Sequence, residues 1–188
     1  MAQIKGILLS GWMDLLKKRY GAEAVSQALQ GLDEEDRARL SAAFLASSWY
    51  PYSTLFALQK LTRPLATASD RNLSLEIGKY MAEYVFTGVY RSFLEKDPIK
   101  QVDKFSWIRD FFFQETRTLE TQMLGTTRCL VRYRYQAGAT PTRAICDSMG
   151  GFWSKTLELA GAANIRFTHI KCVATQADCC EFVFEWTA

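Results

Sequence analysis

The sequence predicts an α/β fold of the α+β kind, with a helical N-terminal half packed on a C-terminal antiparallel β-β-α-β-β module. Three observations carry this. Apolar residues recur every three to four positions from Ile4 to Phe112, the period of amphipathic helices. From Thr116 the period falls to two, with Val131, Tyr133 and Tyr135 alternating with Arg132 and Arg134. A last helix then starts at Thr140-Pro141, an N-cap followed by an N1 proline, and stops before Gly161.

At 188 residues the chain reads as one domain, 1–188, with a mainly helical part at 1–116 and the module at 117–188. That length buries about 70% of the unfolded surface. Hydrophobic content of 48% and charged content of 23% are ordinary for a globular protein. A net charge of +3 does not call for an acidic partner, so no nucleic acid is expected. No run of eighteen apolar residues exists, which excludes a membrane-spanning helix. No secretory pattern opens the chain, so a reduced, cytoplasmic setting is expected, where clustered cysteines imply metal binding or plain packing before disulfides.

The helices follow in order. Residues 4–16 carry Ile4, Leu8, Leu9, Trp12, Leu15 and Leu16 at helical spacing, ahead of a basic turn, Lys17-Lys18-Arg19, and Gly21. A short helix from Ala22 ends at Gly31, and Asp33 caps the next, whose buried face is predicted as Leu40, Phe44 and Leu45. Trp49-Tyr50-Pro51 breaks that pattern, because a residue before proline avoids the α region. Helix resumes near Tyr52 and ends at Pro64; a long one opens at Ser69 or Asp70 and runs to Phe86. Residues 89–94 continue as helix after Thr87-Gly88, and Asp97-Pro98 starts another that carries Val102 to Phe112. The run Phe111-Phe112-Phe113 reads as core, with a ligand pocket as the alternative. Strands are expected at 119–124, 128–136, 165–174 and 179–186. Arg132, Arg134, Arg166 and Lys171 read as a solvated strand face rather than a basic patch.

Four residues stand out as metal ligands: Cys146, His169, Cys172 and Cys180. Their gaps are 23 (169−146), 3 (172−169) and 8 (180−172). Thiolates and imidazole are the donors of closed structural zinc sites, and these join a helix to two strands, so a structural Zn2+ is predicted. Alternation places Cys180 with Phe182, Phe184 and Trp186 on the apolar face and Cys179 with Glu181 and Glu185 on the other, which selects Cys180. His169 and Cys172 are three apart, so the site requires a bulge near Ile170-Lys171. Cys129 and Cys179 stand outside the set.

The run from Cys146 to Phe182, with its helix glycines and its Cys-x-Phe ending, resembles the 4-vinyl reductase domain family, and the whole chain resembles an uncharacterised paralogous family of myxobacteria that carries such a module. The resemblance implies zinc held by three Cys and a Glu, the Glu standing as His169 here, and a role in sensing hydrophobic small molecules. The opening IKGILLSGWMDLL resembles haem-based gas sensors of the nitric-oxide-binding class, but their Tyr-x-Ser-x-Arg motif is absent and the only His is His169.

No Gly-x-Ser-x-Gly elbow, Walker loop or dinucleotide fingerprint is present, so no enzyme is expected. The predicted function is a ligand-binding regulatory domain for a hydrophobic small molecule. The alternative is a protein-interaction scaffold acting as a homodimer or on a protein partner.

Overall fold

A computed structural model describes every residue except 71, 137, 138 and 188. Position 71 of the long predicted helix lies outside it. The chain begins with strand β1 (Gln3–Lys5), then helices α1 (Gly6–Tyr20), α2 (Ala22–Gln30) and α3 (Glu34–Ser41). Strand β2 (Trp49–Pro51), α4 (Thr54–Thr62) and α5 (Leu73–Phe86) follow. A short 3-10 turn leads to α6 (Pro98–Asp103), α7 (Phe105–Phe112) and strand β3 (Phe113–Gln114). The module comprises β4 (Arg117–Gly125), β5 (Arg128–Tyr135), α8 (Arg143–Leu159), β6 (Ala163–Lys171) and β7 (Cys180–Thr187).

The β-β-α-β-β module forms as predicted, an antiparallel sheet ordered β4-β5-β7-β6. α8 lies against it through Cys146, Met149 and Trp153, all buried, and through Gly150, on which Phe167 of β6 packs. Trp153 stacks on Phe105 of α7 with ring centroids 4.0 Å apart, and its indole N–H donates to the Tyr133 hydroxyl. On its other side α8 crosses α5 at two glycines. A Cβ on Gly78 would collide with the Ser148 carbonyl, and one on Gly151 with the Leu75 carbonyl. Two helix backbones touch there.

A second sheet, β2-β1-β3, was not anticipated. Trp49-Tyr50-Pro51 does end the helical pattern, but as a strand paired to Gln3–Lys5. Gly6 serves this arrangement, since a Cβ there would meet the Leu45 carbonyl. α3 stops at Ser41, leaving Leu45 exposed rather than on a buried face. Val89 is 79% exposed, and only residues 91–93 continue as a 3-10 turn. The aromatic run is core: Phe111 and Phe112 pack edge-on with Tyr90 and Phe93, and Phe112 and Phe113 border a space of only about 10 Å³, too small for a ligand. The arginine face is an ion-paired ladder, with Arg132 on Glu181 at 2.8 Å, Arg134 on Asp178 at 3.8 Å and Lys171 on Glu181 at 3.4 Å.

Asp70 pins the segment before α5 to α1. It accepts from the Thr67 N–H at 2.8 Å, the Thr67 hydroxyl at 2.9 Å, Tyr20 at 3.1 Å and Arg19. The Thr67 N–H foremost, with those other donors, holds its carboxyl down at about 2. A depressed folded value contributes stability above the ordinary carboxylate range that is lost as pH falls through about 2. Denaturation midpoints at pH 6 and at pH 2 should therefore differ less in Asp70→Asn than in the wild type. Equal pH dependence in the two would remove Asp70 as an anchor.

Candidate metal-ligating cluster

The fold brings all four predicted ligands together. One donor atom each from Cys146, His169, Cys172 and Cys180 lie within 4.8 Å of one another. Cys146 comes from the first turn of α8, whose start is fixed by the Thr142 side chain capping the Ile145 N–H at 3.3 Å. His169 and Cys172 flank the end of β6, and the pairing of β6 with β7 shifts register between His169 and Lys171. That irregularity is the predicted bulge. It lets residues three apart in a strand serve one site.

Cys180 is the electrostatic centre. Its Sγ lies 3.5 Å from the Cys146 Sγ and accepts from the Val173 N–H at 3.4 Å. Thiol donation by Cys146, and to a smaller degree His169 and the Val173 N–H, pull Cys180 well below the usual thiol range. Cys146 is pushed up in return, because its proton bonds Cys180 and because it is buried. Burial first of all raises Cys172. Of the three sulfurs, Cys180 is thus the most readily ionised.

His169 is oriented by a residue that spacing did not reveal. Its Nδ1 lies 2.8 Å from Asp147, one residue after Cys146 on α8. Burial favours the neutral ring, but the Asp147 carboxylate and then Cys180 raise its proton affinity above the ordinary value. Among the described residues its Nε2 is buried without a hydrogen-bond partner. A ring nitrogen fixed by a carboxylate, with the other left vacant, is the arrangement of metal-ligating histidine.

Next to the cluster sits a fully buried guanidinium, Arg117, at the start of β4. It donates to Tyr52 at 3.2 Å and to the Met149 sulfur at 3.0 Å, and lies 4.2 Å from the Phe113 ring centre. No carboxylate pairs with it among the described residues. Tyr135, 5.5 Å from it by ring centre, reaches to 4.0 Å from the Cys146 sulfur. A buried guanidinium stays charged, and the ionisable groups that face it are Tyr52, Tyr133, Tyr135 and Cys146. Cys179 lies buried on the opposite face beside Asp178 and Glu181, and Cys129 pairs with Phe184 further along β7, so neither is among the converging donors.

Fold and site together define a class: an α+β domain whose helical layer covers a four-stranded sheet, with a thiol-imidazole cluster at the sheet's edge. No protein-family model matches the chain, and no curated protein matches it. Among solved structures, the Fe(II) unliganded H-NOX protein of K. algicida superposes with a TM-score of 0.71 at 19% identity, covering 98% of this chain and 97% of that one. An H-NOX protein of S. oneidensis in the Fe(II)NO ligation state gives 0.71 at 16% identity, covering 98% and 100%. A structure described for modulation of heme redox potential by porphyrin distortion gives 0.66 at 11% identity, covering 97% and 99%. The chain has the H-NOX fold.

This corrects two expectations. The 4-vinyl reductase resemblance is overturned by full-length likeness to H-NOX proteins, a reading of the opening segment that the absent Tyr-x-Ser-x-Arg motif and the single His had led us to reject. The structural Zn2+ assignment falls too. It rested on the donor types and their spacing as well as on that resemblance, whereas the proteins with this fold are described with iron and heme.

The residues present do not fit a haem. Haem iron takes an axial imidazole, thiolate, thioether or phenolate inside an apolar slot. Between α1, α7 and α8 the enclosed space is about 10 Å³, lined by Leu8, Ile108, Met149, Phe152 and Trp153 among others. A cofactor-sized pocket measures about 300–1,000 Å³. An open groove of about 490 Å³ beside Trp12 has no His, Cys, Met or Tyr in its lining. The only His is held by Asp147 in the cluster.

Proposed function

We propose that the chain is a non-catalytic, small-molecule-responsive regulatory domain whose responsive centre is one thiophilic metal ion ligated by Cys146, His169, Cys172 and Cys180. The observation that carries this reading is the convergence of four soft donors on one point, with the His169 Nε2 buried and vacant and its Nδ1 fixed by Asp147. A sensing role is supported by a fold shared with proteins described in Fe(II)NO and Fe(II)CO ligation states.

The residues divide the work by position. Cys180 supplies the first thiolate, and Cys146 and Cys172 lose their protons on binding, as thiol ligands must. Asp147 orients the imidazole. Arg117 offsets the net negative charge that three thiolates leave on a divalent ion. A ligand change at the bound ion would bear on Cys146, the fourth residue of α8, and α8 would pass it to α5 across the Gly78 and Gly151 contact.

The test is elemental analysis of purified protein combined with hydrogen exchange before and after chelation. About one metal per chain is expected, with protection over 143–159 and 163–187 falling on chelation. Absence of metal together with unchanged protection would overturn the reading. In Asp147→Asn, metal affinity should fall about 10- to 100-fold, the usual effect of losing such a partner; unchanged affinity would remove Asp147 from its role.

A second reading, a protein-interaction module, is favoured by Trp107, which is 50% exposed and lies 4.5 Å from Phe93 by ring centre. Sedimentation of wild type and Trp107→Lys tests it, with self-association lost in the variant.

A further inference from the structure

From the groove between α1, α4, α5 and the start of α8 we infer a binding site for an amphipathic organic anion, a carboxylate on an apolar chain or ring. The groove measures about 490 Å³, within the range of small-molecule sites. This inference goes beyond the metal cluster, which contributes no residue to the groove.

Trp12, Phe56, Leu73 and Ile77 make its floor apolar. The polar atoms there are already engaged: the Trp12 indole N–H donates to Thr62 at 3.0 Å, and the Thr62 hydroxyl donates to the Leu58 carbonyl at 2.7 Å. The floor therefore offers an apolar body nothing to desolvate.

The rim decides the sign of the head group. Asp70, its one carboxylate, is neutralised by Arg19 and held by Thr67 and Tyr20. Lys60 is paired with Asp33 at 3.2 Å and Asp36 at 2.6 Å. Arg63, at the end of α4, makes no ion pair among the described residues. The uncompensated charge over an apolar floor is thus a guanidinium, whose planar fork matches a carboxylate. Thr142 and Ala144 form another wall, where the positive end of the α8 dipole adds to the same potential. They stand on the turn that carries Cys146, so an occupant here touches the element that leads to the cluster.

Calorimetric titration with sodium decanoate and with decylammonium chloride tests the site, on protein as purified and after chelation. Decanoate should bind once per chain in both samples, and decylammonium should not bind. Arg63→Gln, an exposed position, should weaken decanoate about tenfold or more, the effect of losing a charged hydrogen bond. Ser74→Trp, or Ala66→Trp if the first fails to fold, should fill the groove and abolish binding. Failure of the wild type to bind decanoate, equal binding of decylammonium, or unchanged affinity in Arg63→Gln overturns the site. Protein that carries no metal as purified, yet binds decanoate, refutes the cluster reading alone.

Discussion

Gly151→Leu should yield no folded protein, and Gly151→Ala should lose roughly 2–3 kcal/mol, the upper range for overpacking. Alanine inside a helix ordinarily gains about 1 kcal/mol over glycine. Here the added Cβ meets the Leu75 carbonyl and the Lys79 amide, backbone atoms that cannot rotate aside. The same holds for Gly78 against the Ser148 carbonyl and the Phe152 amide. α5 and α8 must then separate, which opens the core around Phe86 and Phe152. For a chain of this size each kcal/mol shifts the melting temperature by roughly 2–4 °C. The loss in Gly151→Ala is therefore about 4–12 °C. Gly125→Ala is the control, since a Cβ there meets nothing within 4 Å. A Gly151→Ala protein as stable as the wild type would show that the two helices do not cross at this point.

Cys180→Ser should remove metal binding almost entirely, whereas Cys179→Ser should leave it intact. The two thiols are adjacent in sequence and both buried, so accessibility does not separate them. What separates them is the strand face. Cys180 points to Cys146 and the Val173 N–H, and Cys179 to Asp178 and Glu181. Serine keeps the volume and hydrogen bonding of the site and removes only the soft donor. Equal metal content in both variants would place the ion, if present, elsewhere. Arg117→Met gives a graded version of the same experiment. Removing an unpaired buried charge ordinarily costs little or stabilises. If the thiolates are its counter-charge, the metal-loaded form is destabilised more than the chelated form. Thermal melts of both forms check this, and equal shifts would uncouple Arg117 from the cluster.

The C-terminal module was legible because its signals are local. Alternation gave β4, β5 and β7, and Thr142 and Gly161 bracket α8 within two residues of the expected caps. The face chosen for Cys180 and the bulge at His169 both follow from the period of a strand, and both hold. The second sheet was hidden because three-residue strands carry no period, and β1 and β2 pair across more than forty residues. The long helix expected from Asp97 breaks at Lys104 into α6 and α7 with no proline or glycine to mark it. In the site, the convergence of Cys146, His169, Cys172 and Cys180 was readable from residue type and spacing. The outer partners were not: Asp147 looks like any helix-surface acid and Arg117 like the start of an edge strand, and only packing places them by His169 and Tyr135. The haem-sensor fold was set aside because its sequence likeness was confined to the opening segment and the haem-binding motif was absent, whereas the architecture is shared over the full length at 10–20% identity.

The central claim is that this H-NOX fold carries its responsive centre in the thiol-imidazole cluster and not in a haem. Cobalt(II) titration of chelated protein, followed by visible absorption, tests it most directly. The account predicts saturation at one ion per chain, thiolate charge-transfer bands with tetrahedral ligand-field transitions, and loss of both in Cys180→Ser. A spectrum without thiolate bands, or stoichiometric uptake of added haem by a protein that ignores cobalt, would contradict it.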